Sequence, residues 1–267
     1  MGNKIYLSPS TLNIYRECPK CFYLHIHYGI QRPRGPMPSI TIGLDSIIKK
    51  YFEFYRNIGQ LPPFLEDKIE GKLIAILEKT YYYDINNKYC IFGKLDEAIA
   101  LNDGTFVPLD HKTRASAPDK VHEAYQLQMS VYTLLLRQNN KKVSNFAYLV
   151  YYYPEESKIH NGISFGFKVE KVETDPDEVI KYINEAIECL ESPKIPPGGK
   201  NCEYCKWVNQ IKEYYFFDEV PRIEKHKKLP KIEKEENTET KKYIAENKEK
   251  EEDKKKLEEN FEKGFLF

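Results

Sequence analysis

Gly93-Lys94-Leu95-Asp96, Asp110-His111-Lys112, Gln128 and Tyr132 supply two carboxylates, a lysine and two further polar side chains in the middle of the chain. Paired carboxylates offer hard oxygen donors to Mg²⁺ or Mn²⁺. A lysine beside them can orient or deprotonate a water and offset negative charge. Together these groups form a minimal kit for metal-dependent hydrolysis of a phosphodiester. Strand side chains alternate between faces, so Asp110 and Lys112 share one side of a strand and His111 points to the other. Asp96 on a neighbouring strand can face the same side, and the carbonyl of His111 adds a third oxygen. A lone Asp-x-Lys is more often a solvated surface lysine than a site. Here the apolar approach Val107-Pro108-Leu109 puts the charged pair where a strand leaves the core.

A second group of residues with chemistry is the cysteines, at 18, 21, 90, 189, 202 and 205. Cys18 with Cys21 and Cys202 with Cys205 are CxxC pairs, which in a reducing compartment point to metal ligation or redox chemistry before structural disulfides. The pairs lie too far apart for a compact zinc-finger loop, so the fold must bring them together. Joined, they could hold Zn²⁺ tetrahedrally or give four ligands to an iron-sulfur cluster. Cys90 and Cys189 sit in apolar patterns and read as ordinary buried residues. His25 and His27 lie near the first pair but read as surface or core side chains.

These groups need elements to position them. Ser8-Pro9-Ser10 opens a helix, with serine as cap and proline in the first turn. Residues 31–38 form a proline-rich loop. Apolar residues recur every three or four positions from Gly43 to Tyr55, which is helical spacing, and a further helix is expected over Glu66–Thr80 with Ile69, Leu73, Ile76 and Leu77 inward. Residues 88–101 and 104–110, joined through Asn102-Asp103-Gly104, read as a β-hairpin. Asp119–Gln138 reads as a helix carrying Val121, Tyr125, Gln128, Tyr132 and Leu135 along one side. Val143–Tyr153 and Ile163–Val172 read as strands, and Asp175-Pro176-Asp177 starts a helix to about Leu190. Cysteines apart, the expected fold class is α/β, a mixed central sheet flanked by helices.

The chain has 267 residues, 41% of them hydrophobic, enough for one sizeable core. Its 41 basic and 41 acidic residues cancel, so no whole-molecule field draws it onto nucleic acid and any affinity must come from local patches. No apolar run is long enough to span a bilayer and Met1–Leu7 lacks a secretion signal's apolar core, so the expected location is the cytosol, with no membrane partner. Residues 1–221 are expected to form the main domain. Residues 222–267 are dominated by Lys, Glu and Asp and read as a mobile tail or lone solvated helix, a possible protein-binding arm, with the apolar end Phe261 and Phe265-Leu266-Phe267 as its exception.

Gly93-Lys94-Leu95-Asp96, Pro108-Leu109-Asp110-His111-Lys112-Thr113 and Gln128-Met129-Ser130-Val131-Tyr132 together resemble, in order and spacing, the three motifs of the RecB-like branch of the PD-(D/E)XK nuclease superfamily. The resemblance spans about residues 5–210. It implies a restriction-endonuclease-like core and a metal-dependent DNA nuclease directed at ends or single strands, serving repair, recombination or defence. Asp96, Asp110 and Lys112 would be catalytic, with Gln128 and Tyr132 placing substrate or supporting the metal. Asp96, Asp110 and His111 would hold Mg²⁺ or Mn²⁺. Cys18, Cys21, Cys202 and Cys205 would hold an iron-sulfur cluster, of the [4Fe–4S] type first, although related proteins use one cysteine before the core and three after. The two-plus-two distribution here keeps Zn²⁺ as the alternative.

One departure stands out. Many members carry a metal-binding histidine in a Gly-x-x-x-His pattern, and after Gly43 this chain has Ile47. Either Asp45 replaces that ligand or the metal has one fewer, and a weak or inactive DNA-binding scaffold is the rival reading. Glu123 reads as a solvated helix residue. The candidate phosphate contacts are Arg114, foremost, with Arg32, Arg34 and Lys20. Tyrosine and phenylalanine offer stacking surfaces for unpaired bases, though Tyr81-Tyr82-Tyr83 and Tyr151-Tyr152-Tyr153 read equally as packing.

Overall fold

A computed structural model describes residues 4–33, 35, 38–156 and 162–212. Arg34 and the segment 222–267 lie outside them.

The chain opens with strand β1 (Ile5–Leu7), then helices α1 (Pro9–Glu17) and α2 (Pro19–Tyr28), divided at Cys18. Ser8 caps α1 in a capping box with Thr11 and Pro9 fills its first turn, as expected, while Cys18 and Pro19 open a separate second helix that the sequence did not mark off. Helix α3 (Ser39–Asn57) follows. Next come β2 (Lys72–Leu73), β3 (Tyr81–Asp84), β4 (Tyr89–Gly93), β5 (Glu97–Ala100) and β6 (Phe106–Thr113). Helix α4 (Glu123–Gln138), strands β7 (Phe146–Pro154) and β8 (Phe165–Glu173), and helices α5 (Pro176–Glu191) and α6 (Glu203–Ile211) complete the described chain.

The strands form two sheets, in the orders β1-β4-β3 and β2-β5-β6-β7-β8. The larger sheet is mixed: β6 and β7 run parallel, while β5–β6 and β7–β8 are antiparallel. Its faces bury different partners. Ala98, Leu149 and Tyr151 pack with residues of α4 and α5, while Ile99, Leu109 and Val150 pack with Ile48 and Phe52 of α3. The period-2 alternation of strand side chains sorts them this way. A mixed central sheet flanked by helices is therefore the fold.

Two elements differ from the sequence-based expectation. The helix expected over Glu66–Thr80 does not form; a short 3-10 turn at Pro63–Leu65 leads instead to β2, which pairs antiparallel with β5. Gly71 takes φ +103°, which a helix cannot use, and a side chain there would collide with the Ala100 carbonyl. Ile69 and Leu73 are still buried, but Ile76 is 77% exposed, so helical spacing there does not mark a helical face.

The single strand expected over residues 88–101 is two strands in two sheets. Lys94-Leu95-Asp96 carries the chain from β4 in the small sheet to β5 in the large one. The hairpin survives as β5–β6. Its turn uses Gly104 at φ +79°, and Asp103 Oδ1 accepts from the Thr105 amide at 2.9 Å.

Candidate functional site

Asp110 and Lys112 lie near the end of β6 on the face covered by α4, and His111 on the opposite face against α3. Asp96 immediately precedes β5, whose register pairs Glu97 with Leu109, so Asp96 comes level with Asp110. The Lys112 ammonium contacts Asp110 Oδ2 and donates to Gln128 Oε1 at 3.0 Å. It also stands 4.7 Å above the Tyr125 ring. Gln128 Nε2 donates to Asp110 Oδ1 and to the Tyr132 hydroxyl, each at 3.0 Å. One amide thus ties the carboxylate, the ammonium and the phenol together. Gln128 and Tyr132 share a helix face because they are four residues apart.

Asp110 is 2% exposed. Burial pushes its carboxyl up to about 7, the neighbouring Asp96 carboxylate adds to the rise, and Lys112 opposes both. Its Oδ2 has no aligned hydrogen-bond donor, touching Lys112 only as an ion pair. A buried carboxylate oxygen without a hydrogen bond, beside a second carboxylate, is what a divalent cation would satisfy. The donor set of Asp96, Asp110 and a backbone carbonyl fits Mg²⁺ or Mn²⁺. Beside Gln128 opens a cleft of about 460 Å³, lined by Ser8, Asn13, Lys94, Tyr125 and Tyr132 among others.

Asp96 is held from two directions. Its Oδ2 accepts from the His111 amide at 3.3 Å, and Lys49 of α3 stands 3.5 Å from its Oδ1 while bonding Asp45 at 2.9 Å. Ile47, at the position of the family's histidine, is 65% exposed. Helix α3 therefore turns Asp45 and Lys49, not residue 47, toward Asp96. Lys49 was missed in the sequence, although its i,i+4 spacing from Asp45 was readable. A second unforeseen pair lies on the α3 face: Arg56 Nε donates to Glu97 Oε2 at 3.1 Å. Burial lifts the Glu97 carboxyl to about 6 while Arg56 opposes the rise. His111 packs on Phe52, and burial lowers it to about 4, so its ring is neutral at pH 7.

The cysteine pairs meet although they come from opposite ends of the described chain. Cys18 Sγ lies 3.6 Å from Cys205, and Cys21 Sγ lies 3.6 Å from Cys202 and 3.8 Å from Cys205. All four sulfurs lie within 4.8 Å of one another and could hold a metal ion. The Cys18 sulfur caps α2 and Cys202 occupies the position just before α6, so each pair sits at a helix N-terminus, while burial raises the Cys21 and Cys205 thiols. Burial raises the Cys18 thiol, but amide donation from Gly199 and Cys21 outweighs it and brings Cys18 down to about 7. Cys90 and Cys189 stand apart from the sulfur group, Cys90 buried in β4 and Cys189 partly buried against the core.

The arginines are divided. Arg114 is exposed just beyond β6, with its amide donating to the Tyr152 carbonyl at 2.9 Å. Arg32 lies at the cysteines instead, paired with Glu17, 5.0 Å from the Tyr204 ring and 3.9 Å from Cys202 Sγ. Lys20 lines a cavity at the same cysteines. Glu123 is exposed and paired with Arg16. His27 bonds the Leu190 carbonyl at 2.9 Å, and neither it nor His25 joins the sulfur group.

A sequence model described as the PD-(D/E)XK nuclease superfamily matches residues 45–210, a stretch that holds Asp96, Asp110, Lys112, Gln128 and Tyr132. The chain belongs to that superfamily. The fold is accordingly restriction-endonuclease-like, and the superfamily's members are in general nucleases that use divalent metals. Among solved structures the chain is similar to one described as the crystal structure of SSO0001, at 16% identity and a TM-score of 0.42, over 73% of this chain and 81% of that one. No curated protein matches it. Among the described residues no helix is long and apolar enough to cross a membrane.

Proposed function

We propose that this protein is a Mg²⁺- or Mn²⁺-dependent deoxyribonuclease, acting on DNA ends or single strands in repair, recombination or defence. The observation that carries the reading is the convergence of Asp96, Asp110, Lys112 and Gln128 at one mouth of the mixed sheet. Asp96, Asp110 and the His111 carbonyl would hold the cation, which when bound polarises the scissile phosphate and acidifies water. Lys112 supplies a positive charge beside the phosphate and a proton-transfer partner for the water. Gln128 keeps the Lys112 ammonium aimed, because its carbonyl accepts from that nitrogen while its amide donates to Asp110. Tyr132 holds the other amide hydrogen. Arg114, on the same strand parity as Lys112, offers a phosphate contact at the mouth, and Tyr125 an aromatic face for a base. Arg32 and Lys20, at the cysteines, would contact phosphate only along a strand that also crosses that centre.

The test is cleavage of labelled single- and double-stranded DNA with Mn²⁺. Lys112→Ala and Asp110→Ala are expected to lose about a hundredfold or more in rate while retaining the circular dichroism of the wild type. Equal degradation by wild type and Lys112→Ala would remove the assignment. A second reading, a DNA-binding scaffold without cleavage, is favoured by one contact: Lys49 already lies 3.5 Å from Asp96 Oδ1, on the carboxylate a cation would use. Metal-independent DNA binding with no cleavage in either Mg²⁺ or Mn²⁺ would establish it.

A further inference from the structure

We infer that the four cysteines form a mononuclear zinc centre of the Cys₄ type, and not an iron-sulfur cluster. The inference stands apart from the nuclease reading, because it rests on different residues. Four thiolates around one zinc lie at about 2.3 Å from the ion, which sets the edges of the sulfur tetrahedron at about 3.8 Å. Three edges here are 3.6, 3.6 and 3.8 Å, and no pair exceeds 4.8 Å. In a four-iron cube each sulfur stands outside its own iron, so cysteine sulfurs are spread to roughly 6 Å apart. A two-iron cluster spreads at least the sulfurs on different irons in the same way.

On one side the backbone closes tightly on the sulfurs, while a cavity opens beside Cys21 and Cys205. Gly198 packs so closely that a Cβ there would stand 3.1 Å from Cys205 Sγ, and a Cβ at Gly199 would collide with the Glu17 carbonyl. Glycine at these two positions lets the backbone close directly over the sulfurs. The Gly199 amide donates to Cys18 Sγ at 3.1 Å and the Cys21 amide at 3.4 Å, in the Cys18-Pro19-Lys20-Cys21 turn that begins α2. With both pairs at helix N-termini and Arg32 at Cys202, the surroundings offset the net negative charge that four thiolates leave on a divalent ion. Zinc is preferred over a single ferrous ion because four thiolates in a tetrahedron suit zinc, which also stands above iron(II) in the order of divalent affinity that peaks at copper.

The experiment uses the full-length chain, purified anaerobically from cells supplied with both iron and zinc. Elemental analysis and a sulfide assay are made on wild type and on Asp110→Asn, which removes a carboxylate donor of the other site. The expected result is one zinc per chain in both proteins, no acid-labile sulfide and no visible absorption. A parallel arm offers metal-stripped protein ferrous iron and sulfide together with one equivalent of zinc, and the expected product is colourless and zinc-loaded. A brown protein with several irons and matching sulfide, a red protein with one iron, or a chain that holds no metal would each overturn the proposal. Zinc present in the wild type but missing from Asp110→Asn would overturn it too, by placing the ion at the carboxylates.

Discussion

Asp110 is the residue on which the chemistry of the mouth turns. Its carboxyl is raised above the ordinary carboxylate range to about 7, first by burial and then by Asp96. A raised carboxyl pKa means that the folded protein holds a proton the unfolded chain gives up. The associated stability is complete below about pH 4 and is lost as pH rises through about 7. Under the proposed function, a divalent cation would replace that proton. Metal affinity is therefore expected to rise with pH up to about 7 and then level, with proton release on binding below that point. Calorimetry with Mg²⁺ in two buffers of different ionisation enthalpy measures it. The same titration predicts that thermal stabilisation by Mg²⁺ is larger at pH 8 than at pH 5. A flat profile would mean that Asp110 does not take the metal.

At the scale of elements, the site depends on how closely α4 approaches the sheets. Gly93 ends β4 directly beneath that helix, and a Cβ there would stand 2.7 Å from Leu135 Cδ1 and 2.9 Å from Tyr132 Cε1. Leu135 is fully buried, so it has little space to retreat. Gly93→Ala is expected to push α4 outward, cost about 1–3 kcal/mol of stability and misplace Gln128 relative to Lys112. Denaturant unfolding gives the first effect, and cleavage rates corrected for folded fraction give the second. Wild-type stability and rate in this variant would show that α4 is not seated by the glycine. Helix α3 makes the complementary contribution from the other side of the sheet, delivering Asp45 and Lys49 to Asp96 and Arg56 to Glu97.

For the molecule as a whole, the cysteine centre ties the beginning of the described chain to its end. Among the described residues, α6 has none fully buried, with Trp207 and Val208 each more than half exposed. Such a helix gains little from packing, and its placement rests on Cys202 and Cys205. Stripping the metal with a strong chelator under reducing conditions is expected to release amide protection in α6 and at the α1–α2 junction. Strands β5 to β7 should keep theirs, because none of the four cysteines belongs to the clusters that bury them. Hydrogen exchange read by mass spectrometry distinguishes this local loss from global unfolding.

Local chemistry was readable in the sequence wherever it acts through the chain itself. The alternation of Asp110, His111 and Lys112, the shared face of Gln128 and Tyr132, the Gly104 turn and the two CxxC pairs follow from geometry within a few residues. What needed the folded chain were the choices between partners that lie far apart. Strand 88–101 divides because Gly93 must pass under α4 while Glu97 pairs with Leu109, and residues 66–80 abandon a helical pattern because Gly71 and β5 offer a strand partner. Helix α3 presents Lys49 and leaves Ile47 in solvent through packing against the sheet, which periodicity alone does not orient. Residue types and their spacing marked which groups could carry chemistry. Tertiary packing decided which groups meet, since side chains distant in sequence are brought together only when burying the core leaves them a single arrangement.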